Sequence, residues 1–233
     1  MAQLDRTLIA GLPTFAGLER EQLDAVLVQA RSAHFARDSE IFGQGQEATS
    51  FHLLLSGHVR VVRASPEGHQ VIARYIAEGE LFGIAMAMGR ATYPASAIAA
   101  ADCVVLTWPN AAWPDLQARV PAFGASAYQT IGNRLQETQA TVMEMATEQV
   151  EQRITRAVLR LVQQSGRKTA EGIEIAFPIT RQEIAEMTGT TLHTVSRLLS
   201  GWEQQGLVRG GRQKVTVVDP HALMLIAENR RKG

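Results

Sequence analysis

Between His34 and Asn110 the apolar residues come in short alternating runs, each closed by glycine, proline or polar residues. The runs are Glu40–Phe42, Phe51–Leu55, His58–Val62, Gln70–Ile76 and Cys103–Trp108; the breaks fall at Gly43, Gly45, Ser56-Gly57, Pro66–Gly68 and Glu78-Gly79. A period of two predicts half-buried strands, and several short strands in succession predict a β-sandwich or barrel. Ahead of them, Glu19–Ala30 places Leu23, Val26 and Leu27 on one side of a short amphipathic helix.

From Pro121 to Thr147 the period changes. Tyr128, Ile131, Leu135, Thr138, Val142 and Met145 step alternately by three and four positions, flanked by Asn133, Arg134, Gln136, Glu137, Gln139 and Glu144. That is the seam of a two-helix coiled coil and predicts a homodimer; a helix packed on the β domain would carry a wider apolar stripe. Arg153–Gln164 is a further helix with Ile154, Ala157, Val158 and Leu161 inward. Ser165–Glu171 reads as a polar loop, Ile173–Phe177 as a short strand, and Pro220–Glu228 as a last helix before the basic tail Asn229-Arg230-Arg231-Lys232.

The stretch Ile179–Leu207 carries the chemistry. Thr180 and Glu183 form the pair that caps a helix start, with Ile184, Ala185 and Met187 inward, and Gly189 marks the end of that helix. Thr190 or Thr191 caps a second helix with two faces. Val195, Leu198, Leu199 and Trp202 make an apolar stripe, and His193, Ser196, Arg197 and Ser200 line a polar one beside it. An arginine fork matches guanine O6 and N7 in the major groove, and His193 and Ser196 are placed to read adjacent bases. Thr190 or Thr191 at the helix start suits a phosphate. Two short strands follow around Gly210-Gly211, with Val215 and Val217 alternating. A helix-turn-helix followed by a β-hairpin is a winged helix, and a DNA-binding function follows.

Composition sharpens this. A chain of 233 residues, 45% hydrophobic and 20% charged, is globular and holds one large or two ordinary domains. No apolar run approaches the ~20 residues of a membrane span, and no signal-peptide layout opens the chain, so a cytoplasmic location is expected. Net charge is zero overall, yet the chain carries 10 basic and 14 acidic residues up to Thr147, then 13 and 9. A basic C-terminal part on an acidic N-terminal part fits a DNA reader carried by a sensor. Cys103, the single cysteine, excludes an internal disulfide and a four-cysteine iron–sulfur cluster, and its apolar setting argues against a thiol switch. His34, His52, His58 and His69 lie in the β region without zinc-like spacing, and no clustered His/Glu set supports an enzyme or a metal-binding cupin.

The block ITRQEIAEMTGTTLHTVSRLL, with the β-rich IFGQGQEATSFHLLLSGHVRV before it, resembles the bacterial CRP/FNR superfamily of transcription regulators over nearly the whole chain. The resemblance implies an α+β protein: a cyclic-nucleotide-binding-like β-roll with an N-terminal helix over 1–113, a dimerisation helix over 114–147 and a winged helix over 148–233. In the FNR branch the reading helix shows Glu-x-x-Ser-Arg. Ser196 and Arg197 match, implying a TTGAT-N4-ATCAA palindrome, whereas His193 replaces the glutamate. A His-x-x-Ser-Arg helix without a metal–cysteine set is most similar to the NNR/NnrR subgroup. That likeness implies a nitric-oxide-responsive activator of denitrification and nitrosative-stress genes, with RNA polymerase as partner.

Cyclic-nucleotide binders of the superfamily hold ribose on a glutamate and phosphate on an Arg-Ser pair. In GELFGIAMAMGRATYPASAIA those places fall to Ile84 and to Ala95-Ser96, so cyclic AMP is not expected. Ile84, Met86 and Met88, with Arg90, Tyr93 and Ser96 nearby, are instead expected to line an apolar pocket suited to haem or a diatomic gas. A different small ligand or a redox signal is the alternative.

Overall fold

A computed structural model describes residues 9–229, which form two compact units. One comprises the residues up to Gly68 together with Arg74–Glu137, and the other His69–Ala73 together with the residues from Thr138 onward. The basic tail from Arg230 lies outside the described residues.

The first unit is a roll of two antiparallel sheets. Its strands are β1 (Arg31–Phe35), β2 (Glu40–Phe42), β3 (Ser50–Ser56), β4 (Val59–Ala64), β5 (Gln70–Ile76), β6 (Leu81–Phe82), β7 (Ser96–Ala99) and β8 (Cys103–Pro109). One sheet runs β1-β8-β3-β6 and the other β2-β7-β4-β5. Each of the five predicted runs falls on a strand, with His58 just outside β4, while β1, β6 and β7 were not among them. β1 is mostly exposed, and its Ala33, His34 and Phe35 are placed by pairing with Val105, Val104 and Cys103. β7 buries only Ala97 and Ala99, small side chains with little strand preference of their own.

Helix α1 (Arg20–Leu27) buries Leu23 and Val26, and Glu19 and Gln22 cap it reciprocally. The Trp108 indole N–H donates to the Val26 carbonyl at 2.8 Å, fastening α1 to β8. Helix α2 (Trp113–Arg119) and the opening of α3 (Pro121–Thr147) close the core. Phe123 on α3 packs against Phe15, Phe51, Trp108 and Trp113, with ring centroids 6.0–6.3 Å apart. α3 therefore changes character along its length. Phe123 and Ala127 are fully buried and Ile131 packs on the same core. Tyr128, Leu135, Val142 and Met145 remain exposed.

The second unit contains α4 (Val150–Ser165), β9 (Gly166–Thr169), β10 (Gly172–Ile175), α5 (Arg181–Thr188), α6 (Leu192–Gln204), β11 (Val208–Gly211), β12 (Lys214–Val217) and α7 (Pro220–Ala227). A four-stranded sheet runs β11-β12-β10-β9. The predicted polar loop Ser165–Glu171 instead holds β9, all four of whose residues are exposed and which is held by pairing with β10. The hairpin turn also lies two residues further along than expected. Gly211 pairs with Lys214, so Arg212 and Gln213 make the turn, with Gln213 at φ +58°, and Gly210-Gly211 lie within β11. A Cβ on Gly210 would displace the Glu203 carboxylate. Arg160 and Arg156 on α4 pair with Glu144 (2.6 Å) and Glu148 (2.8 Å), strapping the end of α3 to α4.

Candidate nucleic-acid interface

Local chemistry sets the two helices of the reader. The Thr180 N–H donates to the Glu183 carboxylate at 2.7 Å and the Glu183 N–H donates to the Thr180 hydroxyl at 3.1 Å, starting α5. Gly189, at φ +61°, ends α5 in the left-handed region that glycine adopts without a Cβ penalty. Thr191, rather than Thr190, caps α6 by accepting the Thr194 N–H at 3.2 Å.

Tertiary contacts then choose the face that α6 presents. Val195, Leu199 and Trp202 are buried and Leu198 is half-buried. The Trp202 indole N–H donates to Glu151 on α4 at 3.2 Å. The opposite face shows His193 and Arg197 exposed, with Ser196 and Ser200 half-exposed, and Thr190 and Thr191 stand at the entry to the helix. Sequence reasoning omitted Leu192, the first residue of α6, whose side chain also lies outside.

The surrounding cations are mostly engaged. Arg181 pairs with Glu203 (3.2 Å), Arg209 with Glu171 (2.6 Å), and Arg167 (2.8 Å) and Lys214 (3.4 Å) both with Glu174. Arg197 differs: among the described residues nothing hydrogen-bonds or ion-pairs with its guanidinium. Its donors are open to a ligand, and a fork of that geometry fits a guanine edge or a phosphate.

The six residues expected to line a sensor pocket do not gather in one place. Ile84 belongs to the hydrophobic core with Phe51, Leu81 and Trp108. Tyr93 is buried against Phe42 at a centroid distance of 3.9 Å, and its hydroxyl donates to the Ser50 carbonyl at 2.6 Å. Met86 and Met88 lie on a short 3-10 turn and are exposed, as is Arg90. Ser96 lines a wide, open groove of about 540 Å³ of mixed polar and apolar character, shared with Glu40, Gln44, Ala64, Ser65 and Pro66.

His52 of the roll is not free to bind a haem iron. His52 is buried between Phe42 and Phe82, its Nδ1 lies 3.0 Å from the Thr107 hydroxyl and its Nε2 3.3 Å from that of Ser50. Both ring nitrogens are thus occupied, and burial pushes the imidazole pKa down to about 4. His34 and His69 are exposed, and His58 is half-buried. No group of three His, Cys, Asp or Glu side chains suited to a metal ion occurs among the described residues.

One feature of the roll left no mark in the sequence pattern. Arg134 of α3 is half-buried with its Nε enclosed, and its guanidinium donates to the Leu81 carbonyl of β6. Burial, and then the neighbouring Arg74 charge, lower its pKa to about 10; Glu80 and Glu137 act in the opposite direction.

Two domain families match the chain: a Crp-like helix-turn-helix domain over residues 152–226 and a cyclic nucleotide-binding domain over residues 32–119. The chain belongs to the CRP/FNR family of DNA-binding transcription regulators. This CRP/FNR regulator is 29% identical to the cyclic AMP receptor protein of Thermus thermophilus, over 93% of this chain and 97% of that one. It is also 29% identical to the nitrogen fixation regulation protein FixK of Azorhizobium caulinodans, over 76% and 70% of the two chains. Among solved structures, a CRP-family transcriptional regulator of Thermus thermophilus superposes with a TM-score of 0.72 at 26% identity, over 84% of this chain and 96% of that one. FixK2 of Bradyrhizobium japonicum shares the fold, with a TM-score of 0.74 at 20% identity over the same shares. These relatives are regulators rather than enzymes, and no helix among the described residues is long and apolar enough to cross a membrane.

Proposed function

We propose that this regulator acts as a homodimer that sets the reading helices α6 of its two copies into successive major grooves of a two-fold symmetric operator. The observation that carries the reading is Arg197: an exposed guanidinium with no partner among the described residues, on the face of α6 opposite buried Val195, Leu199 and Trp202. His193, Ser196 and Ser200 flank it as base readers, and Thr190 and Thr191 at the helix start suit phosphate contacts. Two copies related by two-fold symmetry meet half-sites about one DNA turn apart. Residues 1–113 serve as the sensor, 114–147 as the dimerisation segment and 148–233 as the DNA-binding domain.

Dimerisation is supported by α3. Leu135 and Val142 are 58% and 61% exposed and Tyr128 lies on the same seam, an apolar strip that a second copy would cover. Ile131 contributes less, because it is partly committed to the core of its own roll. Met145 also has a neighbour within its chain, since its Sδ lies 3.3 Å from where a Gly189 Cβ would stand.

The roll is the receiver of a small signal. A ligand that binds better to the DNA-competent state shifts the population toward it. Arg134 supplies a connection, because a displacement of β6 at Leu81 acts directly on α3. The nitric-oxide and denitrification reading rests on the His-x-x-Ser-Arg pattern of α6, and the engaged ring nitrogens of His52 argue against that histidine as a haem ligand. Buried Ile84 offers no acceptor for a ribose, which argues against cyclic AMP. A thiol switch at Cys103 is disfavoured. The side chain is buried, its thiol donates to the His58 and Ala101 carbonyls, and burial raises its pKa. Such a regulator works in the cytoplasm beside the chromosome and RNA polymerase.

The test is a titration of the full chain against a TTGAT-N4-ATCAA duplex and a scrambled one, read by anisotropy, with the mass of the complex measured in parallel. Two chains per duplex and a clear preference for the palindrome are expected. One chain per duplex, or equal binding to both DNAs, overturns the reading.

A further inference from the structure

We propose that Glu174 is a counter-charge that holds down the chain's sequence-independent affinity for DNA, by occupying two cations that would otherwise be open to phosphates. The inference rests on the DNA-facing placement of α6 proposed above. It concerns the backbone part of binding and leaves base reading to α6.

Register gathers the charges on one side of the sheet β11-β12-β10-β9. Glu174 of β10 pairs with Arg167 of β9 and, on its other flank, with Thr216 of β12, which pairs in turn with Arg209 of β11. Residues directly opposite one another project from the same face, and Lys214, two positions before Thr216, joins them there. Three cations therefore share a face with one carboxylate in their midst. Its Oε1 accepts from Arg167 at 2.8 Å and its Oε2 from Lys214 at 3.4 Å. Arg209 is taken separately, by Glu171 of the β9–β10 turn at 2.6 Å. This charged face borders the reader: Lys214 and Arg209 line a groove of about 370 Å³ together with Leu192, the first residue of α6.

Exposed ion pairs ordinarily add little to stability. The consequence here is for what the cations can do. The Glu174 side chain is 15% exposed, whereas those of Arg167 and Lys214 are 67% and 60% exposed. The carboxylate is thus seated in the sheet, and the cations are the outer groups that a phosphate would meet first. A cation that moves onto a phosphate leaves Glu174 uncompensated beside an anion of its own sign. DNA of any sequence must compete with Glu174 for both cations. Binding without sequence preference is almost wholly electrostatic, so that competition weighs most heavily there. Arg197 on α6 carries no such partner among the described residues, and the base reader stays open while these two cations are restrained.

Glu174→Gln removes the charge and keeps the shape. Full-length wild type and variant are titrated with a scrambled duplex across a salt series, read by anisotropy, and melts of both check that the sheet is intact. At about 0.1 M salt the variant is expected to bind roughly tenfold more tightly, with a log–log salt slope steeper by about 0.9 for each cation released to a phosphate. The same substitution in a chain that already carries Arg167→Gln and Lys214→Gln is expected to change neither quantity. That arm separates release of these two cations from the mere loss of one negative charge. The proposal is overturned if Glu174→Gln leaves affinity and slope as they were, or if the gain persists in the doubly substituted chain. Weaker binding by the variant overturns it too, since Glu174 would then be aiming the cations at phosphates. A wild-type chain that binds neither scrambled nor palindromic DNA at low salt defeats instead the reading on which the inference stands.

Discussion

Trp202 of the reading helix donates its indole N–H to the carboxylate of Glu151 on α4 at 3.2 Å, with the ring itself buried. Together with the buried stripe of Val195 and Leu199, this contact holds α6 against α4. Trp202→Phe keeps most of the apolar burial and leaves the Glu151 carboxylate without this donor. A loss of about 1.5–3 kcal/mol is expected, as for a hydrogen bond to a charged group. Urea unfolding of the full chain measures it, and an unchanged midpoint would show that packing alone orients the helix.

Arg197→Ala is expected to lower affinity for the preferred operator by at least tenfold while leaving affinity for scrambled DNA nearly unchanged, because a bidentate base contact carries about 1–3 kcal/mol of discrimination. Competition titration separates this from a phosphate contact, whose loss weakens all sequences alike and reduces the salt dependence.

The two halves of the α3 seam should respond differently to lysine. Leu135→Lys with Val142→Lys introduces charge at exposed positions and is expected to give monomers with little change in the stability of the β-roll. Ile131→Lys places the charge against the core and is expected to destabilise the roll as well. Sedimentation and thermal melts of the variants decide; a dimer that survives the double substitution would remove the seam.

His52 predicts a pH dependence. Its folded-state pKa is depressed to about 4 from 6.5, so the unfolded chain takes up the proton first as pH falls. The stability is fully present above pH 6.5 and is lost progressively as pH falls toward 4, amounting to about 3 kcal/mol across the window. Measured between about pH 6.5 and 5, above most carboxylate titrations, His52→Phe should flatten the slope. An unchanged slope would assign the acid sensitivity to other groups.

Gly57 has φ +93°, and a Cβ there would run into the Asp102 carbonyl and lie 2.9 Å from Cys103 Sγ. Gly57→Ala is expected to cost more than about 2 kcal/mol, since backbone stands in the way and the conformation itself is strained for alanine. A melt of the roll indistinguishable from wild type would contradict this.

By itself the sequence determined what depends on neighbours a few residues apart. The Thr180–Glu183 box, the left-handed Gly189 and a threonine cap at position 190 or 191 are local, so the helix-turn-helix was legible before any tertiary contact was known. The buried stripe Val195–Leu199–Trp202 and the polar stripe through Arg197 follow from helical period alone. The strands with alternating apolar residues were legible for the same reason.

Tertiary structure decided what depends on partners far along the chain. β1 and β9 are placed by pairing with β8 and β10, because hydrogen bonds to a neighbouring strand do not require apolar side chains. The wing turns at Arg212-Gln213 because register fixes the turn, even though Gly210-Gly211 is the stronger local signal. Ile84 and Tyr93, close in sequence, diverge into separate packed clusters, and Ser96 lies in an open groove that neither of them lines. Arg134 looked like a solvated flank of α3, yet its guanidinium donates to the Leu81 carbonyl. Periodicity reports which side of a helix is apolar; what covers each residue is settled by packing between distant segments, and that is where the sensor is built.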